Sequence, residues 1–197
     1  YIHSKYKETY DWVLKVDDDS FVIIENLLIY LSQLSPNDLL FYGCHYRAQG
    51  GYNSGGPGYI FSSLVLDKFV ESLSIKGCSG NPTGPEDIEI AKCLKLVGVK
   101  PADTREGKRF RFSPFTPEHT MHKELVPKHF NWFWGFTAYE LQPRMECCSD
   151  SMISFHYITP PQMRVMEFLI YYANPLTNRN VWNTEPRIQE KRTSTKN

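Results

Sequence analysis

The sequence predicts an α/β fold, and three consecutive stretches near its start carry that prediction. The alternating apolar run Trp12–Val16 has the period of a strand, which we expect to be buried, and ends at three adjacent aspartates. Residues 26–34 then place apolar side chains at helical spacing, and Ser35 and Pro36 close that helix. Leu39–Gly43 follows as a short apolar strand. A strand, a helix and a strand in this order are typical of an α/β domain.

The composition fits one domain. The chain has 197 residues, of which 41% are hydrophobic, enough for a substantial core. Its 22 basic and 22 acidic side chains balance, which argues against a nucleic-acid partner. No apolar run approaches the ~20 residues that span a bilayer. We expect residues 1–175 to form an N-terminally incomplete domain whose membrane anchor, if any, lies elsewhere, and residues 176–197 to form a disordered polar tail.

The acidic run Asp17-Asp18-Asp19 is the strongest candidate for a metal site. Asp17 and Asp19 project to the same side of an extended chain, about 7 Å apart. Adjacent carboxylates repel each other, and a divalent cation removes that penalty. Oxygen ligands suit magnesium or manganese. The alternative is a solvated acidic turn, which the apolar residues on both sides of the run disfavour.

A glycine-rich stretch follows the second predicted strand. Five glycines lie between Gly50 and Gly58, followed by apolar residues. Such a stretch either lets the backbone approach a ligand closely or forms a flexible hairpin loop, and the pattern leaves both open. Ser62 or Ser63 then caps a helix that runs to about Leu73.

Another helix begins near Pro85. Thr83 or Gly84 is the expected cap, with Pro85 at the first helical position. Glu86 and Asp87 match the positive end of the helix dipole, which is a sufficient structural reason for both. The functional alternative is a general base that faces a cleft.

Two later stretches carry further candidates. The aromatic run 130–136 includes Trp132 and Trp134, whose rings either pack in the core or stack on the apolar face of a sugar or base. Residues 149–158 predict a strand with His156 on the face opposite Ile153 and Phe155. A lone histidine is usually structural, but as a ligand it would favour manganese over magnesium. His119 and His122 are expected to be surface residues.

The cysteines indicate disulfides and an oxidising compartment. No C-x-x-C pair occurs among the five, Cys44, Cys78, Cys93, Cys147 and Cys148. Neighbouring side chains at 147 and 148 point in opposite directions, so we expect each to reach a distant partner. The alternative is a set of buried free thiols. The odd cysteine is left free or pairs outside this chain.

Taken together, the motifs resemble those of the inverting β1,3-glycosyltransferases, which have the Rossmann-like GT-A fold. The resemblance covers about residues 10 to 172. The stretches Cys147–Asp150 and Ser154–Tyr157 are more specific to the core 1 branch of this family, which extends O-linked N-acetylgalactosamine. The stretches that carry it are Trp12–Asp19, Ser54–Tyr59, Glu86-Asp87, Pro117–His119, Trp132–Trp134, Cys147–Asp150 and Ser154–Tyr157.

The resemblance implies a role for each candidate residue. Asp17 and Asp19, with Asp18 between them, would hold Mn²⁺ against the diphosphate of UDP-galactose, and His156 would be the other protein ligand. Asp87 would be the general base that activates the 3-hydroxyl of N-acetylgalactosamine on a glycoprotein acceptor. The remaining assignments, which concern binding of the sugars, are Gly55, Gly56, Glu86, Trp132 and Trp134.

The resemblance also implies a Golgi type II membrane protein, with a homodimer and a dedicated chaperone left open as partners. Pro57 departs from the small residue usual in the core 1 branch, and the strands that recognise uridine are absent from this chain. Alternatives within the family are fringe-like transfer, another β1,3-galactosyl transfer and a non-catalytic chaperone relative. A phosphatase of the haloacid-dehalogenase type also shares the D-x-D pattern, but Phe21 does not fit its motif.

Overall fold

The structure, a computed structural model, describes residues 1–78 and 83–173. It divides into two compact units, of which the first is Tyr1–Thr159 and the second begins at Pro160. Along the first unit the strands are β1 (Trp12–Lys15), β2 (Phe21–Val22), β3 (Phe41–Tyr46), β4 (Tyr52–Ser62), β5 (Phe112–Ser113) and β6 (Ser154–Phe155). Its α-helices are α1 (Ile2–Tyr6), α2 (Ile24–Leu31), α3 (Ser63–Ser72), α4 (Glu86–Leu96), α5 (Pro117–Met121) and α6 (Trp132–Phe136). The predicted mixed α/β class is confirmed.

The first sheet has the strand order β1-β4-β3, and all of its pairs are antiparallel. The glycine-rich stretch is part of the long central strand β4, so of the two alternatives left open the flexible hairpin loop is wrong for residues 52–58. Pairing on both edges supplies backbone hydrogen bonds that hold even a glycine-rich strand extended. The expectation that β1 is buried is also wrong, because β1 lies at the edge of this sheet and its four residues are half-buried.

Helices α3 and α4 cover the first sheet. The buried core between them contains Phe41, Tyr59, Phe61, Val65, Leu66, Leu94 and Val99. The Ser62 side chain accepts a hydrogen bond from the Val65 N–H at 3.2 Å, so the predicted cap of α3 is confirmed. The predicted cap of α4 is wrong, because Pro85 occupies the N-cap position without a side-chain hydrogen bond. A disulfide between Cys78 and Cys93 ties the end of the α3 segment to α4.

The second sheet brings the two ends of the first unit together. Phe21 in β2 pairs antiparallel with Phe155 in β6, and β6 pairs parallel with β5. The strand predicted over residues 149–158 is therefore confirmed only at Ser154–Phe155. The Ile158 N–H donates to the Asp19 carbonyl at 2.8 Å. This pairing sets the residue after β6 beside the acidic run.

The cysteine expectations are corrected in one respect. Cys147 and Cys148 form a disulfide with each other, with Cα atoms 3.7 Å apart. A 3-10 turn, Arg144–Cys147, ends at the first of these cysteines and the chain continues extended. The two side chains therefore do not alternate as they would along a strand. Cys44 is a buried free thiol, which is one of the two outcomes left open for the odd cysteine.

The second unit begins with α7 (Pro160–Glu167), which continues as a π-helical turn, Phe168–Tyr172. The predicted polar tail, residues 176–197, lies outside the described residues, and the predicted domain boundary at residue 175 stays a prediction. No helix in the described ranges is long and apolar enough to cross a membrane.

Candidate metal and acid-base site

The acidic run turns sharply where β1 ends. The Ser20 N–H donates to the Asp17 carbonyl at 3.2 Å, which closes a turn over the three aspartates. Gly58 in β4 lies against this turn with a φ of +86°, and a Cβ there would lie 2.8 Å from the Lys15 carbonyl oxygen. Only glycine combines that backbone conformation with that approach. The turn is therefore fixed by the strand beside it.

His156 reaches the same turn from the far end of the first unit. Its backbone N–H donates to the Phe115 carbonyl at 3.3 Å. Its ring Nε2 lies 3.1 Å from Asp19 Oδ1 and 4.0 Å from Asp17 Oδ2. We call these three side chains, Asp17, Asp19 and His156, the metal corner.

The metal corner has the donor set of a divalent-cation site. One ligand atom from each of its three residues lies within 4.8 Å of the others. The carboxylates are 42% and 41% exposed, whereas the imidazole is 11% exposed. Burial lowers the pKa of His156, and this outweighs the opposing charges of Asp19 and Asp17. A neutral imidazole keeps a lone pair for a metal, so the residues fit such an ion. Asp18 is exposed and is not part of the group.

Gly55 and Gly56 connect the metal corner to the start of α4. A Cβ on Gly56 would overlap the imidazole ring of His156. The Gly55 N–H donates to Asp87 Oδ2 at 2.9 Å, while Asp87 Oδ1 accepts from the Ile88 N–H at 2.8 Å. Adjacent residues of one strand thus contact the histidine and the predicted base. The sequence reasoning named all of these residues, and the structure brings them together.

Glu86 is fixed from the core side. It accepts a hydrogen bond from the hydroxyl of Tyr59, a fully buried residue of β4. Burial raises the pKa of Glu86, and the charges of Asp87 and Asp17 act in the same direction, while Lys15 opposes them. Glu86 is therefore held in place by a rigid neighbour.

Lys15 is a site residue that sequence reasoning missed. Its Nζ lies 2.6 Å from Asp17 Oδ1 and 3.2 Å from Glu86 Oε2. Burial alone would lower the pKa of Lys15, but the bonds to Asp17 and the charge of Glu86 outweigh it and raise the pKa. The signal was available, because on a strand Lys15 shares a face with Asp17 two residues later.

The aromatic segment, residues 130–136, lies beside the metal corner. The His156 ring stacks on Tyr157 with centroids 3.8 Å apart, and Tyr157 lies 4.8 Å from Phe130. Phe133 is fully buried, whereas Trp132 is 43% exposed and Trp134 is 37% exposed. The segment therefore combines one core ring with two accessible indoles, which is the surface that a sugar face can stack on.

Trp134 also lines a cavity of about 570 Å³. The other lining residues include Arg47, Lys123, Tyr139 and Glu140, and none of them belongs to the metal corner. The two tryptophans thus have different surroundings. His119 and His122 are not part of a metal-type group among the described residues, and His122 instead pairs with Glu124 at 3.1 Å.

Comparison with known proteins finds relatives that include two named transferases and a named synthase. The chain is 37% identical over 175 residues to glycoprotein-N-acetylgalactosamine 3-beta-galactosyltransferase 1 of Xenopus laevis, covering 87% of this chain and 48% of that protein. It is 28% identical over half its length to human chondroitin sulfate synthase 3, of which it covers 12%. It is 27% identical over 61% of its length to mouse beta-1,3-glucosyltransferase, of which it covers 25%. No family model matches the chain. The chain thus spans about half of the Xenopus relative, and less of the other two.

Proposed function

We propose that this chain, which belongs to the glycosyltransferase family of the Xenopus galactosyltransferase described above, carries the catalytic site of a metal-dependent β1,3-galactosyltransferase. The donor would be UDP-galactose and the acceptor N-acetylgalactosamine linked to serine or threonine of a glycoprotein. The product would be the core 1 disaccharide, Galβ1-3GalNAc. The observation that carries this proposal is the meeting of Asp17, Asp19 and His156 within 4.8 Å in a chain with such a relative.

The proposed metal is Mn²⁺, held by Asp17, Asp19 and His156. Mixed carboxylate and imidazole ligands favour manganese over magnesium. When bound, the ion supplies Lewis-acid stabilisation of the negative charge on the departing diphosphate. The chain's own contribution is to hold the two carboxylates and the neutral ring close together, against Gly56, so that little reorganisation accompanies binding.

Asp87 is the proposed general base. Backbone N–H groups of Gly55 and Ile88 hold its two oxygens at 2.9 and 2.8 Å, which fixes the carboxylate one residue along β4 from the contact with His156. Asp87 takes the proton of the acceptor 3-hydroxyl as that oxygen attacks the anomeric carbon of galactose. The bond from that carbon to UDP breaks on the opposite face, which inverts the configuration.

The sugars are proposed to lie between these groups. Gly55, Gly56 and Glu86 would border the donor sugar, because Gly56 lies against His156 of the metal corner and Gly55 donates a hydrogen bond to Asp87, the residue after Glu86. Trp132 and Trp134 are the candidates for stacking on the acceptor ring. Their exposure leaves room for such contact, and aromatic faces bind the apolar faces of sugars.

We extend the proposal to the whole protein only in its location and partners. Disulfides persist in oxidising compartments, which supports a lumenal catalytic domain, and we propose the Golgi membrane as its site. A homodimer and a dedicated chaperone remain proposals from the resemblance.

A donor and acceptor screen of the full-length protein tests this function. UDP-galactose with a GalNAc-bearing peptide and Mn²⁺ should give Galβ1-3GalNAc, and UDP-N-acetylglucosamine or UDP-glucose should not replace the donor. Transfer of another sugar would support a different β1,3-transfer of the family. Hydrolysis of phosphate esters without sugar transfer would contradict the proposal.

The base is tested by Asp87→Asn in the same protein. The amide cannot accept the proton, so turnover should fall by about 10²- to 10⁴-fold while binding of UDP with Mn²⁺ is kept. Asp150→Asn is the control, because that carboxylate is 91% exposed and pairs with Arg109 instead. Loss of UDP affinity with Asp87→Asn would indicate a binding role.

A further inference from the structure

Lys15 is placed where a cation affects both the metal and the donor. Its side chain is 32% exposed, so solvent and ligands reach the ammonium. It bonds Asp17 Oδ1, whereas Asp17 Oδ2 faces His156. One oxygen of the Asp17 carboxylate therefore pairs with the Lys15 ammonium, and the other faces the imidazole of the metal corner.

The charges around Lys15 are otherwise negative. Asp17, Asp18, Asp19, Glu86 and Asp87 lie on the turn after β1 and at the start of α4. In the described ranges, Lys15 is the one Lys or Arg that forms an ion pair with any of these five carboxylates. A diphosphate, itself an anion, meets net repulsion at such a site unless cations offset it.

The position of Lys15 is also rigid. Its ammonium is 5.7 Å from the ring centroid of Tyr59, which is fully buried and hydrogen-bonds Glu86. A Cβ on Gly55 would lie 2.9 Å from Nζ, so β4 passes directly beside it. The ammonium therefore has a defined place between the metal corner and the helix start.

We infer that Lys15 makes the site select a metal-bound diphosphate over the free metal ion. A fixed positive charge next to Asp17 repels a divalent cation that arrives alone. The same charge attracts the phosphate oxygens of a metal-bound nucleoside diphosphate. Lys15 thereby couples binding of the metal to binding of the donor, as a specificity-determining residue beside the proposed ligands. The inference rests on the proposed function, because it requires a divalent ion at the metal corner.

Removing the charge of Lys15 should change the affinity for free Mn²⁺ and the affinity for UDP in opposite directions. Replacing Lys15 by Met keeps an unbranched side chain of similar length but removes the charge. Lys15→Met should bind free Mn²⁺ about five- to tenfold more tightly, since one like charge is removed near a partly exposed site. It should bind UDP, at saturating Mn²⁺, about five- to tenfold more weakly. A role confined to folding would weaken both.

The experiment titrates Mn²⁺ alone, followed by electron paramagnetic resonance of the free ion, and then UDP at saturating Mn²⁺ by calorimetry. Lys15→Arg should keep both affinities within about twofold, because it keeps the charge. Lys68→Met, which removes an ammonium paired with Glu71 on α3, is the control outside the site. If Lys15→Met does not fold, Lys15→Gln is titrated in its place.

Only the opposed shifts support the inference, and any other pattern overturns it. Failure of the proposed function is distinguishable, because it appears in the unsubstituted protein. If wild type binds no Mn²⁺ either alone or together with UDP, or if Asp19→Asn leaves Mn²⁺ binding unchanged, the metal corner itself is wrong. If wild type binds Mn²⁺ through Asp19 and Lys15→Met shifts both affinities in one direction, only the role of Lys15 is wrong.

Discussion

The metal corner and the aromatic segment are neighbours built in different ways. The metal corner joins residues more than a hundred positions apart, and backbone hydrogen bonds such as Ile158 N–H to the Asp19 carbonyl hold them. The aromatic segment is seven consecutive residues, in which the buried Phe133 contacts the rings of Trp132 and Trp134. Tyr46 and Phe115, from outside the segment, contact the same ring. Geometry in the first comes from backbone pairing, and in the second from packed volume. Substitutions in the first should therefore change metal binding, and substitution of the buried ring in the second should change stability.

The largest effect on Mn²⁺ binding is expected from substitution of His156. His156→Ala removes one of the three proposed protein ligands, so Mn²⁺ affinity should fall by at least about 100-fold. That loss is at the upper end of the loss in metal affinity when a residue that only hydrogen-bonds to a ligand is removed. Titration with Mn²⁺ measures it. The matched control is His122→Ala, since His122 is exposed and pairs with Glu124. Equal affinities for both variants would contradict the assignment of His156.

Phe133 should give the largest effect on stability. It is fully buried, and Phe133→Ala should lower the free energy of unfolding by about 3–5 kcal/mol because it leaves a cavity. Trp134→Ala, in the same segment but 37% exposed, should cost well under half of that. Urea denaturation of the two variants provides the measurement. A larger loss with Trp134→Ala would mean that this indole, and not Phe133, is the core ring.

A glycine beside the metal corner and a glycine in the aromatic segment should change stability with opposite signs when replaced by alanine. Gly56→Ala places a methyl group into the His156 ring and should cost about 1–3 kcal/mol, together with Mn²⁺ affinity. Gly135→Ala, in α6, has no neighbour within 4 Å of the added Cβ and should gain about 0.5–1 kcal/mol from helix propensity. Thermal unfolding compares the two. A neutral Gly56→Ala would show that the ring has room to move.

The sequence predicted the elements that local chemistry determines. The strand Trp12–Lys15 follows from alternating apolar residues, and the start of α3 follows from the cap at Ser62. The residues of the metal corner were also predicted, because their grouping came from the family resemblance in addition to local pattern. What failed depended on distant partners. The glycines of β4 look like a loop until strands pair on both sides, and β1 looks buried until its edge position is known.

The disulfide and Lys15 show two further limits. The Cys147–Cys148 bond depends on a 3-10 turn that no pattern in the residues indicates. Lys15 lies within the stretch Trp12–Asp19, but its role in the site depends on its ion pair with Glu86. Glu86 comes about seventy residues later and reaches Lys15 only because α4 packs on the sheet. The periodicity of a sequence shows which side chains share a face of a strand or helix. It does not show which charged residues from other elements lie against that face.

Diffraction from crystals of the full-length protein grown with Mn²⁺, recorded for the anomalous signal of manganese, tests the central claim most directly. One ordered ion should lie at the turn after β1, bonded to carboxylate oxygens of Asp17 and Asp19 and to Nε2 of His156. An ordered ion bound by other side chains, or no ion there at saturating Mn²⁺, would contradict the account.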